Sequence, residues 1–190
     1  MINFHRVWAM VQRYFLGLIH SYDRLGDMFY WPVMDLILWG LTGVYFVQQI
    51  KNPHALFVML TGLIFWIVIW RTQYEITVNL LTEFWDRNLV NIFVSPLTVW
   101  EWITSLMVVG FTKMIISLTF SAVVASFLYH FNIFLYGFWL IPIVLSLALT
   151  GWAAGFLIAG LLIRFGQKIQ TLAWVGVVLM RQVTGKARRA

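Results

Sequence analysis

The chain has 190 residues, 62% of them hydrophobic and 11% charged, with a formal net charge of +6. Soluble domains carry about 25% charged residues, so this composition excludes a water-soluble fold and reads as one integral membrane domain: 11 Trp and 16 Phe exceed what a soluble core of this size hides. The absence of cysteine excludes disulfides and thiolate metal sites, and the excess cations belong at the inner ends of helices rather than on nucleic acid, which is not expected as a partner.

In chain order, residues 3–24 read as an amphipathic helix. Phe4, Val7, Trp8, Val11, Phe15, Leu18 and Tyr22 recur at helical spacing, with Arg6, Arg13, His20 and Arg24 on the other face. That pattern suits a helix lying in the membrane interface; packing against the protein's own spans is the alternative. Arg6, Gln12 and Arg13 interrupt the apolar positions, so the N-terminus is not read as a cleavable signal peptide. A first span is expected over 28–50, with Pro32 near its start and Asp35 inside, followed by the turn Lys51-Asn52-Pro53-His54. The second covers 55–70 and continues as a more polar helix through Arg71, Gln73, Glu75 and Asn79, which predicts a helix running past the membrane surface into water.

Next comes a connector. Residues 82–94 are expected as a helix with Trp85, Leu89, Ile92 and Phe93 on one side and Glu83, Asp86, Arg87 and Asn91 displayed elsewhere. Ser95-Pro96 breaks it, and Thr98-Val-Trp-Glu101 is a capping box that starts a new helix. A third span over 100–129, a turn at His130-Phe-Asn132 and a fourth span over 138–163 follow, ended by Arg164, Gly166, Gln167 and Lys168. A fifth apolar stretch, 169–180, covers only about 18 Å as a helix, short of the ~30 Å hydrocarbon core. After Met180 the sequence turns polar and basic.

With the N-terminus in the cytoplasm, Arg6, Arg13, Arg24, Arg71, Arg87, Arg164 and Lys168 lie inside and only Lys51 outside. This asymmetry predicts a multi-pass inner (plasma) membrane protein with a cytoplasmic N-terminus and a cytoplasmic 82–101 connector.

Catalytic signatures are absent. There is no Gly-x-Ser-x-Gly and no His-Glu-x-x-His; the histidines at 5, 20, 54 and 130 are scattered, which argues against a shared metal. Gly185-Lys186-Ala187 lacks the remainder of a phosphate-binding loop. Asp35 and Lys113 are the ionisable residues within spans. They read either as polar elements of a translocation path or as a snorkelling lysine and a locally paired or protonated aspartate. Gly151, Gly155 and Ala159 form a small-residue ridge at i, i+4, i+8 for close helix packing, within the subunit or between copies. Trp31, Trp39, Tyr45, Phe65, Trp66, Trp70, Trp100 and Trp102 read mainly as interfacial anchors, with a minority available to line a substrate route.

With these residues in view, the chain resembles the ABC-2 type permease family, the membrane subunits of ATP-driven exporters. The resemblance spans about residues 1–180. It rests on the N-terminal helix, the Trp31-Pro32 entry to the first span, and the run from Glu83 to Trp102 containing Ser95-Pro96-Leu97. The run from Phe165 to Trp174 resembles the family's entry to its fifth span. The resemblance implies an all-α transmembrane domain over 1–180, no cofactor in this chain and no enzymatic activity of its own. Its implied partners are a separate ABC ATPase subunit, a second permease copy or related subunit, and membrane lipids. It also implies ATPase coupling through the connector, where Glu83, Trp85, Asp86, Arg87, Asn88 and Pro96 are the candidates. The family has six spans; this chain departs from that pattern after Met180, as a truncated or frame-shifted product or a short natural variant would, and residues 181–190 are expected as a disordered basic tail. The alternatives are a lipid-modifying enzyme using Asp35, Glu75 and Glu101, and a non-transporting scaffold.

Overall fold

The computed structural model describes residues 3–50 and 54–165. The fifth apolar stretch, the basic tail, all but the first residue of the 165–174 run and the Lys51-Asn52-Pro53 turn lie outside them. The described residues are helical, with no strand: α1 (Phe4–Ile19), α2 (Tyr22–Ile50), α3 (His54–Trp85), α4 (Leu89–Val94), α5 (Val99–Tyr129), a 3-10 turn over Ile133–Trp139, and α6 (Leu140–Phe165). Four stretches, Tyr22–Gln49, Leu56–Trp85, Val99–Tyr129 and Ile133–Phe165, are long and apolar enough to cross a membrane.

Helix α3 is the axis of the bundle: α2, α5 and α6 all pack on it, while α1 lies across α5. The core is divided along this axis. At one end, Val7, Val11 and Tyr14 of α1 join Leu80 and Leu81 of α3, Ile92 of α4, Trp102 and Leu106 of α5, and Leu162 of α6. At the other, Leu36, Leu60, Ile64 and Ala125 pack with Phe131 and Ile133 beneath the 3-10 turn. Val68, Met114 and Ala148 fill the middle.

Contacts between the long helices depend on small residues. Gly151 and Gly155 of α6 face α3 so closely that a Cβ at Gly151 would collide with the Thr72 hydroxyl and come within 2.6 Å of the Ile69 carbonyl. Ala159, the next residue of the ridge, is buried in the same seam. Gly40 of α2 makes room for the Tyr129 ring, whose hydroxyl donates to the Leu36 carbonyl at 3.0 Å.

Several sequence expectations are corrected. The first helix ends at Ile19, so Tyr22 opens α2 instead of closing α1's apolar face; the buried positions are Val7, Val11, Tyr14 and Leu18, while Phe4 and Trp8 stack on each other in the open at 6.5 Å. Helix α2 starts six residues before the expected 28, which puts Pro32 inside it. Helix α3 is continuous over 32 residues, about 48 Å and far longer than the ~30 Å hydrocarbon core. Its polar stretch is nevertheless not in water: Arg71, Gln73, Glu75 and Asn79 are all buried among neighbouring helices.

Candidate functional site

Polar side chains concentrate in two places: a ladder inside the bundle and an elbow at the end carrying α1 and α4. The ladder follows from spacing. Arg71, Glu75 and Asn79 stand at i, i+4, i+8 on α3, and Lys113, Ser117 and Ser121 repeat that spacing on α5, so each helix offers one polar stripe. The stripes meet. Lys113 Nζ donates to Glu75 Oε2 at 2.6 Å, and Arg71 lies 3.6 Å from Glu75 Oε1 and 3.3 Å from Asp27 Oδ2 of α2. Arg71 also donates to the carbonyls of Asp27 and Met28, and Ser117 donates to the same Met28 carbonyl. Asn79 donates to Glu75.

Two anions and two cations thus tie three helices together where a lone charge would be very costly. Lys113 does not snorkel; it is buried and paired. Asp35, the other intramembrane candidate, stands apart from the ladder. It lines a small hollow with Trp31, Pro32, Trp66, Ile67 and Trp70, and has no hydrogen bond or ion pair with any described residue.

The elbow begins where α3 stops. Arg87 adopts the left-handed conformation (φ 52°), the Asn88 N–H bonds to the Glu83 carbonyl at 3.0 Å, and the Arg87 N–H to the Phe84 carbonyl at 3.2 Å. This is a Schellman ending with arginine where glycine is usual. The expected continuous helix over 82–94 is therefore two pieces with a turn at Asp86-Arg87. Four residues after α4, Thr98 and Glu101 form the capping box that starts α5.

Two buried carboxylates hold α1 onto this elbow. Glu83 accepts from Arg13 at 2.9 Å, from the Tyr14 hydroxyl at 3.1 Å and from the Asn88 amide at 2.7 Å. Glu101 accepts from the backbone N–H groups of Asn3 (2.7 Å) and Thr98 (2.9 Å). The Trp102 indole N–H donates to the Tyr14 hydroxyl at 2.9 Å, and Arg6 donates to the Pro96 carbonyl. Burial pushes the Tyr14 phenol well above its ordinary range, and the neighbouring Glu83 carboxylate adds to this, while the Trp102 hydrogen bond opposes it.

This arrangement revises two expectations. Glu83 is not displayed but buried, and Trp102 is a buried bonding partner instead of an interfacial anchor. Of the coupling candidates, Trp85, Asp86, Arg87 and Pro96 are exposed, and Asn88 is half-buried with its amide on Glu83 and its side-chain oxygen accepting from Asn91. A hollow of about 410 Å³ lies beside Asp86, lined also by Arg13, Asn88 and Asn91. The braces Tyr14, Arg13 and Arg6 were missed because their partners are 69 to 90 residues away in sequence.

Asp35, Glu75 and Glu101, the three carboxylates considered for an enzyme, sit in separate surroundings: Glu75 on the ladder, Glu101 at the α5 cap, Asp35 in its own hollow. Among the described residues no group of three His, Cys, Asp or Glu is placed to hold a metal ion. The chain matches no protein-family model, no curated protein and no solved structure.

Proposed function

We propose that this chain is the permease subunit of an ABC-type exporter of the inner membrane, driven by a separate ATPase that grips the elbow from the cytoplasm. One observation carries the reading. An exposed tip, Trp85-Asp86-Arg87, is mounted at the end of the bundle's axial helix and cross-braced by buried Glu83 and Glu101. A push on that tip is delivered to α3 and α5 together, and α3 touches every other long helix. The long run of cations at this end supports its cytoplasmic placement, and α1, with Phe4 and Trp8 exposed beside Arg6 and Arg13, lies at the headgroup level.

In this reading Asp86 and Arg87 dock on the ATPase, Trp85 fills an apolar groove in it, and the hollow beside Asp86 receives a side chain in return. Pro96 sets the bend into α5. Glu83 and Asn88 act as braces rather than as contacts. A second permease copy or related subunit completes the path. ATP shifts the equilibrium only if the ATPase contacts differ between the two states, and a stiff elbow is what lets such a difference reach the spans.

The test is reconstitution with a candidate ABC ATPase subunit. Paired charge reversal, Asp86→Lys with Arg87→Glu, is expected to abolish co-purification and substrate-stimulated ATP hydrolysis while leaving the permease folded. Unchanged assembly and hydrolysis in that variant overturn the coupling role.

A further inference from the structure

Three indoles and a carboxylate that has no partner among the described residues line one hollow between α2 and α3. Trp31 and Asp35 stand four residues apart on α2, Trp66 and Trp70 four apart on α3, so each helix turns an i, i+4 pair to the same space. Pro32 and Ile67 are the buried members of its lining. The hollow measures about 190 Å³, below the roughly 300–1,000 Å³ of sites for drug-sized molecules. It fits a headgroup.

Two of the indoles have aromatic neighbours. Trp31 meets Tyr30 edge to face at 5.6 Å, and Trp70 stacks on Tyr74 at 4.8 Å. The Trp70 ring already hosts a cation, with the Arg71 guanidinium 5.2 Å from its centroid. The cations of the neighbouring helices do not neutralise Asp35: Arg71 is committed to Asp27 and Glu75, and Lys113 to Glu75.

Chemistry selects the occupant. Indole faces are electronegative, so a lining that holds three indoles beside a carboxylate disfavours anions and favours a positive guest. A small metal cation is a poor match, since it needs several oxygen ligands to replace its water and Asp35 is the only carboxylate among the described residues that line the hollow. A bulky, weakly hydrated cation gains from both the aromatic faces and the single charge. We propose that the hollow formed by Trp31, Asp35, Trp66 and Trp70 binds an organic ammonium ion, either free or as the headgroup of an amphiphile whose tail leaves past the exposed side of Trp31. That the bound ion is cargo rests on the exporter reading; that it binds does not.

The experiment uses the full chain, purified without its ATPase, in nanodiscs of phosphatidylglycerol, which supplies no ammonium headgroup. Radiolabelled choline is expected to bind saturably. Its neutral isostere 3,3-dimethylbutan-1-ol is expected to compete about 30-fold more weakly, the factor that a desolvated cation–π contact corresponds to. Asp35→Asn and Trp66→Leu each weaken binding by a similar factor, whereas Trp39→Leu, on α2 outside the hollow, does not. Trp66→Phe, a milder change should the others misfold, gives an intermediate loss.

Competition by phosphatidylcholine doped into the discs, read by the same label, separates the sources. Displacement by lipid at low mole fraction with weak free-choline binding assigns a lipid headgroup, and tight free-choline binding assigns a soluble cation. Equal competition by the neutral isostere, or no saturable binding of either form, overturns the proposal. These readings are independent of ATPase co-purification, so the site and the exporter assignment fail separately.

Discussion

Glu75 and Lys113 show how a membrane bundle tolerates charge. Each is buried and each is the other's nearest counter-ion. Lys113→Met strands Glu75 with Arg71 alone and is expected to cost about 3 kcal/mol, the lower end for breaking a buried pair, read as a drop in thermal midpoint in detergent. Lys113→Met combined with Glu75→Gln is expected to recover most of it, because removing both partners leaves no unpaired charge. Tyr14 makes a second prediction. Its phenol is held neutral by burial, so its folded-state value lies above its unfolded one. Its contribution is complete below pH about 10, the ordinary phenol value, and is lost as pH rises beyond, because the unfolded chain then ionises while the folded one resists. Alkaline unfolding should therefore begin earlier in the native chain relative to its neutral-pH stability than in Tyr14→Phe, which loses this slope together with about 1–3 kcal/mol from the Trp102 and Glu83 bonds.

Among the elements, the α3–α6 seam and the end of α3 decide most. Gly151→Ala is expected to push α6 off α3 and cost about 1–3 kcal/mol, whereas Gly160→Ala, with open space at its Cβ, should be neutral or stabilising by a few tenths to about 1 kcal/mol; chemical denaturation of both variants checks the contrast. Arg87→Gly relieves a left-handed arginine (φ 52°) and should stabilise by about 1 kcal/mol, yet on the coupling reading it weakens ATPase docking. A stability gain with unaltered docking would leave Arg87 a helix terminator only. The sequence made some of this legible. Thr98 and Glu101 carry a local capping signature, Pro96 a local break, and Gly151, Gly155 and Ala159 a local ridge. The burial of residues 71–79 was not legible from one helix, since a polar stripe looks alike whether water or another stripe faces it. The matching stripe at Lys113, Ser117 and Ser121 was the available signal, 38 residues away at the Glu75–Lys113 pair. The turn at Arg87 escaped because arginine, and not glycine or asparagine, holds its left-handed position and the apolar period runs on.

For the molecule as a whole, the testable property is its sidedness. The chain has no cysteine, so single replacements report without background. Arg87→Cys, at the elbow, is expected to react with a membrane-impermeant maleimide only after the cells are opened, and Asn132→Cys, beside the 3-10 turn, in intact cells. The reverse pattern would place the elbow outside and remove the basis for an internal motor.

The ladder has one more consequence at this scale. Asp27 and Glu75 carry formal negative charges and Arg71 and Lys113 formal positive ones, so the cluster sums to zero. A transmembrane voltage of 100 mV does work of about 2.3 kcal/mol on each elementary charge carried fully across, but on a neutral cluster shifted as a unit it does none. The ladder itself is therefore electrically silent to membrane potential, and an energised cell adds nothing to the cost of carrying it along with its pairs intact.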